Sequence, residues 1–154
     1  MFNKAIHSDK APKAIGPYSP AIKLGDFVYL SGQVPLDAST GELVSGGIEE
    51  QTHQVFKNIQ AILEEMGLET RHIVKTTVFM TDLAEFSTMN EIYSTYFAEP
   101  YPARSTVQVG ALPKGAKVEI ECLVIDTLAY EQQMGSGCSC SDGCEDCDNC
   151  EGQE

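Results

Sequence analysis

In the stretch PYPARSTVQVGALPKGAKVEIEC, residues 100–122, Arg104 precedes an alternating run and Glu119 sits inside the next one. A guanidinium offers paired N–H donors that match a carboxylate, and a carboxylate can accept a proton. Neither run carries a serine–histidine pair or a metal-ligand cluster, so any chemistry here must work without a nucleophile from the protein. Alternation puts Val118, Ile120, Cys122 and Val124 on one strand face, with Glu119, Glu121, Leu123 and Ile125 on the other. Arg104, Thr106 and Gln108 share a face of the preceding run. Read as neighbouring strands, the two runs let Arg104 and Glu119 border one polar hollow; a plain cross-strand salt bridge is the competing reading.

A second constellation is separate. Cys138, Cys140, Cys144, Cys147 and Cys150 follow the pattern C-x-C-x₃-C-x₂-C-x₂-C. Thiolates spaced this closely suit Zn²⁺ or another soft cation. A zinc ribbon, however, separates its two cysteine pairs in sequence, and incidental thiols on a disordered acidic extension are the alternative.

The elements that must position these groups can be read from period and punctuation. AIKLGDFVYLSGQV reads as a hairpin turning at Gly25-Asp26, part of three opening strands. Residues 37–42 read as a loop. Ile48, Val55, Ile59, Ile62, Leu63 and Met66 recur at helical period, with Gly67 as the stop and the intervening Glu, Gln, Lys and Asn expected to face water. Residues 72–80 are β-branched and apolar, as in a buried strand. A second helix is expected from Leu83 or Ser87 to Ala98, ended by Pro100 and Pro102. Residues 104–109 and 117–125 supply the last two strands, with GALPKGA reversing the chain between them. The expected order is β-β-β-α-β-α-β-β, an α+β domain over residues 1–130 with two helices on one face of a mixed sheet. Residues 131–154 read as an acidic tail, disordered or ordered by metal.

Composition narrows the function. The net charge is −13, and residues 131–154 hold 7 of the 23 acidic residues and no Lys or Arg. Such a balance disfavours nucleic acid as a partner. No apolar run approaches the ~20 residues of a membrane helix, and the N-terminus lacks a secretory apolar stretch. A cytoplasmic protein acting on small molecules is the expectation.

The stretches IGPYSPAIKLGDFVYLSGQVPLD, IVKTTVFMTDLAEFSTMNEIYSTYF and PARSTVQVGALPKGAKVEIEC resemble the RidA (YjgF) family of 2-iminobutanoate/2-iminopropanoate deaminases, from about residue 4 to residue 127. The resemblance implies a chorismate-mutase-like subunit and a homotrimer with active sites in the clefts between subunits. It implies hydrolysis of enamine/imine intermediates, 2-aminoacrylate and 2-iminobutanoate among them, without a cofactor. Arg104 matches the arginine that grips the substrate carboxylate, and Glu119 the glutamate that positions water. Tyr18, Ser31, Gly32, Asn90 and Thr106 match positions near the substrate. The cysteine tail is not part of the family pattern.

That resemblance supplies the missing chemistry. A 2-imino acid is already electrophilic at its C=N carbon, so water aimed by Glu119 suffices once Arg104 holds the carboxylate. From the residues alone, Tyr18 reads as packing, Ser31 and Gly32 as a turn, and Asn90 as an exposed helix position. Cys122 reads as an inert buried thiol, and His7, His53 and His72 as surface or structural residues. The rival functions are a non-catalytic binder of 2-keto or amino acids, a ribonuclease or translation inhibitor, and a chaperone or interaction protein.

Overall fold

A computed structural model describes residues 2–135. Its elements run β1 (Asn3–Ile6), β2 (Ala21–Leu24), β3 (Phe27–Gln33), α1 (Ile48–Glu64), β4 (Ile73–Met80), α2 (Phe86–Thr95), β5 (Ala103–Gln108), β6 (Val118–Ile125) and α3 (Leu128–Gly135). The expected order is present, with α3 added. The strands form one mixed sheet in the order β1-β2-β3-β6-β4-β5, in which only β4 and β5 are parallel.

Local chemistry explains most of this. Gly25 takes φ 59°, which an L side chain rarely adopts, and lets Leu24 pair with Phe27 across a two-residue turn. Helix α1 buries Val55, Phe56, Ile59, Ile62 and Leu63 against the sheet, meeting the alternating core residues Val118, Ile120, Cys122 and Val124 of β6. Burial pushes the Cys122 thiol well above its ordinary pKa, so it stays protonated and inert.

Two polar residues of α1 depart from expectation. Gln51 and Asn58 are buried rather than facing water. Each amide bonds backbone groups distant in sequence, and the Val34 and Leu36 carbonyls also accept from the Leu36 N–H and from Gln54 Nε2. Asn58 Nδ2 donates to the carbonyls of Val34 (3.1 Å) and Leu36 (3.0 Å), and Gln51 Oε1 accepts from the Lys117 N–H (2.8 Å). These bonds fix the chain as it leaves β3 and as it enters β6. Each contributes about 1 kcal/mol. Asn58 thereby holds Val34 and Leu36, which line a cleft on this chain.

The last two strands correct a sequence expectation. β5 and β6 are not neighbours: β4 lies between them, pairing in parallel with β5 and antiparallel with β6. A parallel pair needs a crossover, and α2 supplies it. The link after β5 therefore carries the chain past β4 instead of closing a hairpin.

Helix α3 crosses the boundary expected at residue 130. Arg71 holds Glu131 through two parallel bonds of 2.9 and 3.0 Å, Thr127 Oγ1 donates to Glu131 at 2.5 Å, and Tyr130 donates to Asp26 at 2.7 Å. Buried His72 accepts the Glu69 N–H at Nδ1 (2.9 Å), a structural role, and its Nε2 lies 3.3 Å from the same Glu131 carboxylate without a hydrogen bond. Arg71 and then Thr127 hold the Glu131 carboxyl down at about 2. A depressed carboxylate stabilises the fold above its unfolded value of 4.5, and that contribution is lost as pH falls through about 2. Glu131→Gln should therefore lower the melting temperature near neutrality. The wild-type and variant curves should converge as pH drops from about 4.5 toward 2; a constant gap across that window would mean that the carboxylate charge is not what holds α3.

The five tail cysteines, Cys138 to Cys150, lie outside the described residues. Among the described residues, no helix is long and apolar enough to cross a membrane.

Candidate active site

Arg104 sits on β5 in register with Thr76, whose hydroxyl meets the Tyr93 hydroxyl (2.8 Å) under α2. The guanidinium is thus on the helix-covered face. Its Nη2 donates to Asn90 Oδ1 at 2.7 Å, and its central carbon lies 4.4 Å from the centre of the Tyr93 ring and 5.6 Å from that of Phe86. Stacking on a ring face and one amide bond orient the group without neutralising it. Among the described residues, no carboxylate pairs with it. Thr106 lies two residues on, on the same strand face and also half-buried.

Asn90 is therefore no idle surface residue. Tyr93, which reads in the sequence only as part of an apolar helix face, lies one helical turn from Asn90, so both reach the same guanidinium. That i, i+3 spacing was the available signal.

Glu119 occupies the opposite face. It alternates with the buried residues Val118 and Ile120 and stands in register with Phe79 of β4. Its carboxylate borders a cleft of about 460 Å³ whose walls include Tyr18, Ser31, Gly32, Ile15 and Lys114. Gly32 is what admits the carboxylate: a Cβ there would come within 1.9 Å of Glu119 Oε1. Ser31 donates from Oγ to the Ser19 carbonyl at 2.7 Å, and the half-exposed Tyr18 accepts from the Ile15 N–H at 3.3 Å, so the loop before β2 forms a wall of the cleft. Lys114, which sequence reasoning passed over, reaches the cleft from a turn in which it takes φ 55° and donates to the Gly41 carbonyl at 2.7 Å. Burial first, then the Glu121 charge, raises the Glu119 pKa above the ordinary carboxylate value.

The expected site residues thus fall into two half-sites. Arg104, Asn90 and Thr106 belong to the helix side of β5; Tyr18, Ser31, Gly32 and Glu119 belong to the cleft on the other face. Within one chain β4 separates their strands and the sheet separates their faces. The single hollow expected from neighbouring strands is not formed within a chain, and neither is the cross-strand salt bridge. The reason is the insertion of β4 between the two strands.

The same outer face leaves Leu24, Phe27, Tyr29 and Val107 exposed, each by two-fifths or more. Exposed apolar side chains on one sheet face are a feature of interaction surfaces.

Comparison with known proteins adds a second line of observation. A profile of the endoribonuclease L-PSP family matches residues 8–126. Protein DfrA of Myxococcus xanthus is 50% identical over 127 residues, covering 81% of this chain and 97% of its own. The 2-iminobutanoate/2-iminopropanoate deaminase of Mus musculus is 48% identical over 125 residues, covering 81% and 93%. The crystal structure of TdcF from E. coli with bound serine superposes with a TM-score of 0.75 at 43% identity, covering 79% of this chain and 98% of that one.

Proposed function

This chain belongs to the endoribonuclease L-PSP family, that of RidA and YjgF, and from that premise we propose that it hydrolyses small 2-imino acids to 2-keto acids and ammonia. The observation that carries the reading is a pair of half-buried opposite charges, Arg104 held by Asn90 and Tyr93 and Glu119 lodged over Gly32, neither neutralised by the other.

The steps follow from those groups. Arg104, steadied by Asn90 and Tyr93, takes the substrate carboxylate, with Thr106 beside it. Glu119 accepts a proton from water as the oxygen adds to the C=N carbon, giving a carbinolamine. Its raised pKa makes it a better base than a surface glutamate. Proton return to nitrogen releases ammonia and leaves the keto acid. Each step is an addition, an elimination or a proton transfer, so no redox cofactor is called for.

One chain cannot bring both groups to one molecule, so the proposed site is shared between two copies: the Arg104 half-site of one meets the Glu119 cleft of the next. The exposed apolar outer face supports self-association, and a homotrimer with three such junctions is the assembly we propose. Mouse and human relatives carry the deaminase name, which supports the reaction.

A second reading has an observation of its own. The TdcF structure holds serine, an amino acid rather than an imine, which fits a protein that binds small carboxylates without turning them over. Generating 2-iminobutanoate in situ with a threonine dehydratase separates the two. The deaminase reading expects this protein to accelerate 2-keto acid release above the spontaneous rate. An unchanged rate, with the amino acid still bound, would leave only the binder.

A further inference from the structure

We propose that Gln33 is a positioning residue: from the core side of the sheet it locks a β-bulge at Ser31–Gly32, and that bulge seats the Glu119 carboxylate in the cleft. The proposal deepens the deaminase reading and rests on the role given there to Glu119.

Three observations lead to it. First, the register between β3 and β6 slips by one residue at this point. Leu30 pairs with Cys122 but Gln33 pairs with Ile120, so Ser31 and Gly32 together stand opposite Glu121. An extra residue of this kind bends the strand and re-aims side chains, often beside active sites. The slip also reverses the alternation. Gln33 turns with Ile120 to the core face and is only 7% exposed, where an unslipped strand would put position 33 on the outer face opposite Glu119.

Second, Gln33 spends its amide on the bulge itself. Its Nε2 donates to the Ser31 carbonyl at 2.9 Å. The Ser31 N–H donates to the Pro20 carbonyl at 3.0 Å and the Ser31 hydroxyl to the Ser19 carbonyl at 2.7 Å, so both turn to the segment before β2. Ser31 is thus pinned between the cleft wall and Gln33. A buried amide is costly unless it is bonded, so a polar side chain at this core position ties the bulge to one arrangement.

Third, the bulge is what Glu119 rests on. A Cβ at Gly32 would lie 1.9 Å from Glu119 Oε1, 2.8 Å from Cδ and 3.0 Å from Cγ, so the carboxylate lies across the glycine backbone. Around that seat stand Glu121 from the same strand and Tyr18, Lys13 and Lys114 from the cleft walls. Burial comes first among the causes that raise the Glu119 pKa, ahead of the Glu121 charge. The titration of this carboxyl therefore reports whether it is seated.

The test is Gln33→Met, which keeps the side-chain length and removes the donor. Glu119 is followed by NMR of its labelled side-chain carboxyl carbon, identified by its absence from Glu119→Gln. In the wild type it should titrate above the ordinary glutamate value. In Gln33→Met it should fall back toward that value, in the same direction as in Gly32→Ala, whose added Cβ displaces the carboxylate outright. Turnover of 2-iminobutanoate should drop by about 10–10²-fold in kcat with KM little changed, because the Arg104 half-site is untouched. Gln33→Asn, whose amide falls one methylene short of the Ser31 carbonyl, should behave alike. A lower melting temperature with the Glu119 titration and the rate as in wild type would overturn the proposal. Failure of both chains to fold would do the same, making Gln33 a residue of the fold rather than of the site. The titration needs no substrate. Absence of turnover in the wild type would therefore end the deaminase reading, while the NMR shift would still decide how Glu119 is seated.

Discussion

Glu119→Gln should lower keto acid release from 2-iminobutanoate by about 10²–10⁴-fold, the range for removing a general base. The substitution is close to isosteric, so the amide still fits over Gly32, where there is no Cβ to obstruct it. The cleft and the fold should survive, and the loss should fall on turnover rather than on binding of a small carboxylate. A pH signature accompanies it. Glu119 must be ionised to take a proton from water, and burial has raised its pKa. Wild-type activity should therefore fall on the acid side at a higher pH than an ordinary carboxylate would set, and that limb should be missing from the residual activity of the variant. Near-normal turnover by Glu119→Gln would remove this residue from the mechanism and return the chain to the binder reading.

Much of the domain could be read from period and punctuation alone. The apolar spacing from Ile48 to Leu63 marks α1 because a helix packed on a sheet must repeat its buried face, and Gly25-Asp26 marks a two-residue turn. The two faces of β6 were legible for the same reason, since Glu119 alternates with Val118 and Ile120. What alternation does not fix is how the faces of two different strands correspond. That depends on which strands pair, and β4 reaches between β5 and β6 from earlier in the chain. Gln51 and Asn58 misled for a related reason: their amides are buried to serve backbone groups at Val34, Leu36 and Lys117, far away in sequence. Helix α3 has little apolar period to announce it, and its hold on the domain comes from Arg71 and Asp26, whose proximity only the folded chain reveals. The family resemblance names the residues of both half-sites as one set, and the fold places them on two faces of the sheet.

That division leads to the second large effect. Arg104→Ala and Glu119→Gln should each be almost inactive when assembled alone, yet mixtures of the two should recover turnover. The argument is geometric. Arg104 and Glu119 lie on opposite faces of one sheet with β4 between their strands, so a complete site must take its arginine half from one copy and its glutamate half from the next. In a cyclic assembly formed by unfolding and refolding an equal mixture, each junction draws its two halves independently. Roughly a quarter of junctions then receive both an intact Arg104 and an intact Glu119, whatever the number of copies in the ring. Activity should rise from the background of either variant to roughly that fraction of wild type, and a chain carrying both substitutions, mixed with either single variant, should restore nothing. If Arg104 and Glu119 instead served one substrate from the same chain, through a rearrangement of the sheet, every site in the mixture would lack one group. Recovery would then be absent at any mixing ratio, and the shared site would have to be abandoned even if the reaction itself were confirmed.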